Sequence, residues 1–318
     1  MVECLRMKKL LMNRKPVRGP WGGGNLFVKA ICEYAESRGY EVVHSLQQNI
    51  DAILMIDSRY DNLGIAMNEI SFYKSRNPQT RVVHRVNECD ARKATHDMDK
   101  MLVSCSNFTD ATVFVSNWMK DYFEKSWNCK EQHVAYNGVD QDHFSPLNFD
   151  TKYVKNNLHK ALNVPIKIIA HHWSSNDLKG FDIYDKLDEW VGNNNDYEFV
   201  YIGRSQDKFK NAIVIDPLFG KALGDELKFG SVYVSASRWD PGPNHIIEAL
   251  ACHLPTFVHK DGGGAVEFAN SPGAVYSSFE ELISKIQQKE LWPIKKGWDI
   301  SWKDCANRYF DIIEGKVS

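Results

Sequence analysis

Hydrophobic positions along this chain come in short runs, and between the runs apolar residues recur at helical spacing. In the first half the runs predict strands at 9–12, 41–43, 52–56, 81–86, 112–115 and 133–136. The helical patterns between them cover 25–38, 65–75, 100–107 and 117–125. Strands that alternate with helices and are rich in β-branched residues predict parallel sheets wrapped by helices. The pattern restarts at 167–171 and continues at 198–202, 212–215, 231–234, 256–258 and 274–276. Between the halves lies the polar stretch 142–165, with Asn156-Asn157 and prolines near its ends.

This doubling predicts an α/β protein with a Rossmann-like domain over 1–145 and a second over 146–301. The closing segment 302–318 carries an amphipathic helix over 302–313. Two such domains facing each other would leave a cleft at the carboxyl ends of both sheets, where ligands bind in open parallel sheets. No other repeat and no low-complexity segment is visible.

Composition narrows the class. With 318 residues, 43% hydrophobic and 25% charged, the chain can build two globular domains. A net charge of −2 gives no case for nucleic acid or an anionic membrane surface. Seven scattered cysteines without a C-x-x-C spacing argue for reduced thiols and against a disulfide frame or a zinc site. No stretch approaches a membrane-spanning run. The basic start, broken by Glu3, reads as a first strand and not as a signal peptide. The expectation is a cytoplasmic protein, with peripheral membrane contact left open.

The densest chemistry lies at 239–255. Asp240 and Glu248 stand eight positions apart around Pro241-Gly242-Pro243. Pro243 suits the first position of a helix, and Asn244 and Glu248 then share one helix face. A helix N-terminus offers N–H groups and the positive end of a dipole to an anion. Two carboxylates beside it can accept hydrogen bonds from hydroxyl groups of the same ligand. Gly22-Gly23-Gly24 after the first strand has the form of a phosphate cradle or, equally, of a tight turn. Two D-x-D strings, Asp97-Met98-Asp99 and Asp140-Gln141-Asp142, could hold a divalent ion on a diphosphate. The first reads better as a helix N-cap and the second follows an Asn-Gly turn, so no metal site is assigned.

The stretch from Asp240 to Glu248 resembles the acid-x7-acid signature of glycosyltransferase family 4, retaining enzymes of the GT-B fold. Glu248-Ala249, Pro255 and Gly262-Gly263-Gly264 follow the family pattern. Tyr136-Asn137-Gly138-Val139-Asp140, Lys179-Gly180-Phe181 and Tyr201-Ile202-Gly203 fit in order. Asp240 replaces the usual glutamate, and the aromatic residue after the proline is missing. Many relatives carry a Gly-Arg pair where this chain has His172-Trp173.

The resemblance implies a transferase that moves a hexosyl or pentosyl unit from a nucleoside diphosphate sugar to a hydroxyl with retention of configuration. Such an enzyme needs neither metal nor other cofactor, and its acceptor would be a glycan or glycoconjugate. By the same resemblance Glu248 binds the donor ribose, Asp240 holds the transferred sugar, and Lys179 neutralises the diphosphate. Gly242, Pro243 and Asn244 line the donor, as do Gly23 and Gly24. Ser174, Ser175 and His172 stand where the family arginine would be. Arg85, Asn87 and Glu88 follow a strand of the first domain and fall on the acceptor or sugar side, although Arg85 braced by Glu88 fits the sequence as well.

Two rival readings remain at this stage. One is a GT-B isomerase or phosphorylase, for which no acid/base pair or cofactor-lysine region is visible. The other is a catalytically weak or inactive GT-B protein that binds a nucleotide sugar or a glycan.

Overall fold

A computed structural model describes residues 6–18, 22–59, 64–146, 164–206, 208–271, 273–293 and 297–317. Most of the polar stretch between the predicted halves, 147–163, lies outside the described residues. The chain divides into two compact units, Met1–Gly138 with Ile300–Ser318, and Val139–Asp299.

The first unit holds six parallel strands: β1 (Lys8–Met12), β2 (Tyr40–Val43), β3 (Ala52–Met55), β4 (Arg81–Val86), β5 (Ala111–Phe114) and β6 (Glu131–Val134). Their order is β2-β1-β3-β4-β5-β6. Every residue of β3 and β5 is buried, as expected of a parallel sheet covered on both faces. The two-residue period of the strands separates two cores. Leu10, Leu54 and Val83 point to one face and meet Phe27, Ile31, Tyr309, Phe310 and Ile313. Leu11, Ile53, Met55 and Val82 point to the other and meet Ile70.

The helices Gly23–Ala35 and Trp302–Ile313 therefore share one core, with the Phe27 and Tyr309 rings edge-on at 4.6 Å. The second of these starts with a reciprocal cap. Ser301 Oγ accepts from Asp304 N at 3.1 Å, and the Asp304 carboxylate accepts from Ser301 N at 3.0 Å. Gly138 makes this seat possible, because a Cβ there would overlap the Ser301 carbonyl.

The second unit repeats the plan with β7 (Ile166–His172), β8 (Tyr197–Gly203), β9 (Ile213–Ile215), β10 (Val232–Ser235), β11 (Thr256–His259) and β12 (Val275–Tyr276). Their order is β12-β11-β10-β7-β8-β9, again all parallel. The chain lays β8 and β9 to one side of β7, then crosses back to lay β10, β11 and β12 on the other. The topological switch point, the place at which open parallel sheets bind ligands, lies between β7 and β10. The core on one face joins Ile168, Tyr201 and Val234 to Phe181, Tyr184, Leu187 and Leu282.

All twelve predicted strands are present, with ends within two residues of the expected ones. The turn 139–144 counts with the second unit: a Cβ on Gly224 would overlap the His143 carbonyl, and Gln141 Nε2 donates to Asp299 O at 3.0 Å. Pro243 corrects the expectation for the helix start. It is the residue before the helix Asn244–Ala251, with extended backbone at ψ 102°. Its carbonyl accepts from Ile246 N at 3.1 Å, which makes Asn244 the first helical position.

Candidate functional site at the carboxyl edge of the second sheet

Four loops leave the carboxyl ends of β7, β8, β10 and β11 on the same edge, because the strands are parallel. Backbone contacts stitch these loops together. Arg238 N donates to Leu178 O at 2.8 Å, joining the β10 loop to the β7 loop. Gly180, at φ +87°, has the Ala236 carbonyl against its Cα, where no Cβ would fit. Asp240 forms a parallel bridge with Gly263, and Gly264 N donates to Asp240 O at 2.8 Å. Gly263, at φ +67°, lies too close to the Asp240 backbone for any side chain. The loops are therefore held in fixed register by glycines at three close approaches, Gly180, Gly263 and Gly203, the last against the His172 carbonyl.

This stitching brings Lys179 and Asp240, 61 positions apart, into one buried ion pair. Lys179 Nζ donates to Asp240 Oδ2 at 2.9 Å, and both side chains are 7% exposed. Each ion is desolvated, so the pair depends on mutual compensation. The sequence resemblance assigns the two groups separately, to diphosphate and sugar, and their contact is a feature of the fold alone.

Glu248 lies one turn into the helix Asn244–Ala251, whose remaining residues from His245 to Ala251 are all buried. Only Asn244 and Glu248 reach partly to the surface, so their shared face is the one this helix presents. His171 Nε2 contacts Glu248 Oε2 at 2.8 Å. An ionised carboxylate only accepts, so His171 Nε2 carries the hydrogen. The opposite ring nitrogen, Nδ1, lies 3.1 Å from the Tyr233 hydroxyl. Burial pushes the Tyr233 phenol well above its usual range, which keeps it protonated and able to donate. The chain Tyr233–His171–Glu248 thus fixes one carboxylate oxygen from behind.

His172 points away from the edge. It is 3% exposed, 2.7 Å from the Tyr184 hydroxyl, and its ring centroid is 4.6 Å from that of His245. His245 in turn contacts Ser235 Oγ at 2.9 Å. His172, expected among the donor contacts, thus sits in the buried layer beneath this edge. Ser174 Oγ accepts from Asn176 N at 3.2 Å, and Ser175 O accepts from Gln206 Nε2 at 3.1 Å. The two serines shape the β7 loop, with Ser175 exposed. Gly242 is half-buried in the turn before the helix.

The residues expected from the first half belong to the first unit. Gly22 precedes the helix Gly23–Ala35, and Gly24 has open space around it. Arg85 is 2% exposed, lies 4.2 Å over the Phe27 ring, and donates to Asn137 Oδ1 at 2.9 Å. The guanidinium expected on the acceptor side is therefore buried, with Phe27 and Asn137 against it. Asn87 and Glu88 are half-buried, and Glu88 pairs with Lys93 at 3.3 Å. Asp99 accepts from Asp90 N and from the Tyr122 hydroxyl, and Asp140 pairs with His143. Both D-x-D strings are thus engaged in local structure. Among the described residues no group of three His, Cys, Asp or Glu side chains is arranged to hold a metal ion. No helix of the described residues is long and apolar enough to cross a membrane.

Sequence reasoning missed three side chains here. His171 and His245 gave no signal beyond being histidines near strand ends or helix starts. Arg204 had a signal, a Gly-Arg step directly after a predicted strand. Its guanidinium stacks 4.3 Å over the Trp173 ring.

No family model matches the chain, and no curated protein matches it in sequence. Solved structures do match over nearly its whole length. HepE from Anabaena, in complex with UDP-glucose, superposes with a TM-score of 0.65 at 14% identity, covering 98% of each chain. Sucrose-phosphate synthase from Thermosynechococcus elongatus gives 0.64 at 13% identity, over 98% of this chain and 94% of the other. WaaG, a glycosyltransferase involved in lipopolysaccharide biosynthesis, gives 0.61 at 12% identity over 97% and 98%. At such identities the likeness is one of fold, and the fold of this chain is the GT-B fold of these glycosyltransferases.

Proposed function

We propose that this protein is a retaining glycosyltransferase, similar to family 4, that moves a sugar from a nucleoside diphosphate donor to a hydroxyl of a glycan or glycoconjugate. The observation that carries this reading is the arrangement of one edge of the second sheet. There the Lys179–Asp240 pair and the braced Glu248 flank the start of one helix at a topological switch point. A helix start with a lysine beside it suits a leaving diphosphate. A carboxylate held from behind by His171 suits two ribose hydroxyls. The GT-B neighbours solved with UDP or UDP-glucose support a nucleotide-sugar donor.

In this reading Glu248 binds the ribose, and Asp240 faces the transferred sugar while Lys179 stabilises the departing phosphate. The donor phosphate itself takes the acceptor proton on the same face. The second unit carries the donor, the first unit the acceptor, and the protein works in the cytoplasm. No divalent ion is required, since Lys179 and the helix supply the positive charge.

A second reading is favoured by one observation. Lys179 and Asp240 satisfy each other in a buried pair, as in a protein that binds a nucleotide sugar without turning it over. The experiment is a thermal-shift screen of the five common nucleoside diphosphates and their sugars, followed by donor hydrolysis and transfer assays with and without EDTA. Ligand at about 100 times its dissociation constant adds about 2.7 kcal/mol of stability. Binding with turnover that survives EDTA is expected. Binding without turnover selects the second reading, and no binding in the screen overturns both.

A further inference from the structure

Among the described residues the first sheet ends in the edge strands β2 and β6, and the second in β12 and β9. An edge offers N–H and C=O groups to a further strand, and charged side chains or brevity guard against that pairing. β2 carries the exposed Glu41. β6 carries Glu131, which pairs with Arg81 and His133. β12 has two residues, Val275 and the buried Tyr276. β9 differs, because it reads Ile213-Val214-Ile215, all β-branched and uncharged. Ile213 is 47% and Val214 45% exposed, and strand alternation puts them on opposite faces. Among the described residues no other edge strand exposes a large apolar side chain.

This edge is held in place from within. β9 runs parallel to β8, with Ile213 beside Val200 and Ile215 beside Ile202. Just before the strand, the buried Asp188 carboxylate accepts from the backbone N of Lys210, Asn211 and Ala212 at 3.0, 2.9 and 2.7 Å. Just after it, Pro217 has no N–H and ends the ladder. An edge ordered in advance loses little freedom when another strand pairs with it. Its two ends carry opposite charge. Lys210 precedes the strand and Asp216 follows it; both are exposed, and neither side chain has a partner among the described residues. The edge is therefore complementary to itself. An antiparallel second copy brings the Lys210 end of each chain to the Asp216 end of the other, whereas a parallel copy would set like charges together.

We propose that β9 is the contact of a symmetric dimer, in which the Ile213–Ile215 edges of two copies pair antiparallel and join their second sheets into one. The aliphatic side chains of the two strands then cover one another on both faces, and a Lys210–Asp216 pair closes each end. The test is sedimentation of the full chain over a range of concentrations, for wild type, Ile213→Lys, Lys210→Glu and Asp216→Lys. Wild type is expected to pass from monomer to dimer as concentration rises. Ile213→Lys should remain monomeric. Each charge reversal should raise the dimer dissociation constant by about 10-fold or more, because symmetry repeats the like-charge contact. Mixing Lys210→Glu with Asp216→Lys should restore dimers, since every contact between the two variants again joins opposite charges. That recovery also separates the proposal from a mere loss of folding in either variant. The proposal is overturned by a monomeric wild type, by dimers that survive Ile213→Lys, by charge reversals without effect, or by variants that stay apart on mixing.

Discussion

Lys179 Nζ and Asp240 Oδ2 lie 2.9 Å apart in a pair from which water is nearly excluded. Removing one partner leaves an uncompensated buried charge, which costs about 3–5 kcal/mol, whereas replacing both with apolar groups is often close to neutral. Lys179→Met and Asp240→Leu should each lower the melting temperature strongly, and the double variant should recover most of the loss. Transfer should be absent in all three. Recovery of transfer together with stability in the double variant would assign the pair to the fold alone.

The brace behind Glu248 predicts a graded effect. His171→Leu removes the hydrogen-bond donor at 2.8 Å, while His171→Gln keeps an N–H within reach of the carboxylate. A hydrogen bond to a charged group contributes about 1.5–3 kcal/mol, so nucleotide affinity should drop about 10-fold or more in the Leu variant. The Gln variant should regain much of it. Calorimetric affinities that are the same in all three proteins would detach His171 from the ligand.

Gly180 and Gly39 share a left-handed backbone, at φ +87° and +76°, but only Gly180 has a carbonyl against it. Gly39→Ala should cost about 1–2 kcal/mol from the backbone conformation alone. Gly180→Ala should cost clearly more and should also reduce nucleotide binding, because the loop that carries Lys179 must shift. Equal denaturation midpoints for the two variants would mean that the β7 and β10 loops are not locked together.

His84 sets a pH dependence in the first unit. It is fully buried with Nε2 3.2 Å from Ser58 Oγ, and burial pushes its pKa from 6.5 down to about 3. The unfolded chain takes up the proton near pH 6.5 and the folded chain holds it off until about pH 3. Stability is therefore lost as pH falls through that window, by up to about 1.4 kcal/mol per pH unit from this group. Urea midpoints at pH 7, 6 and 5 should fall more steeply in wild type than in His84→Gln. Parallel curves would show that another group carries the effect.

The strands were legible because a parallel strand buried on both faces must be apolar throughout, as in Ala52–Met55. The helix Trp302–Ile313 was legible because its start and its apolar face are both local signals. Contacts between distant segments were not. Arg85 reads as a polar residue near a strand end, and only the packing of Phe27, Tyr309 and Asn137 around it shows that it is internal. The surroundings of His172 were hidden for the same reason: alternation turns it inward, and the layer it enters is built from Tyr184, Tyr201 and His245. The pairing of Lys179 with Asp240 follows from the strand order β10-β7, which no local pattern states.

The seat of the helix Trp302–Ile313 has a consequence for biosynthesis. Tyr309, Phe310, Ile312 and Ile313 belong to the same core as Leu10, Phe27 and Tyr40. A ribosome delivers that helix only after all six strands of the second unit have emerged. The second sheet can therefore close while one face of the first, covered in part by the helix Gly23–Ala35, still lacks its second helix. The half made first is completed last, and its unfinished face is what chaperones would meet on the nascent chain.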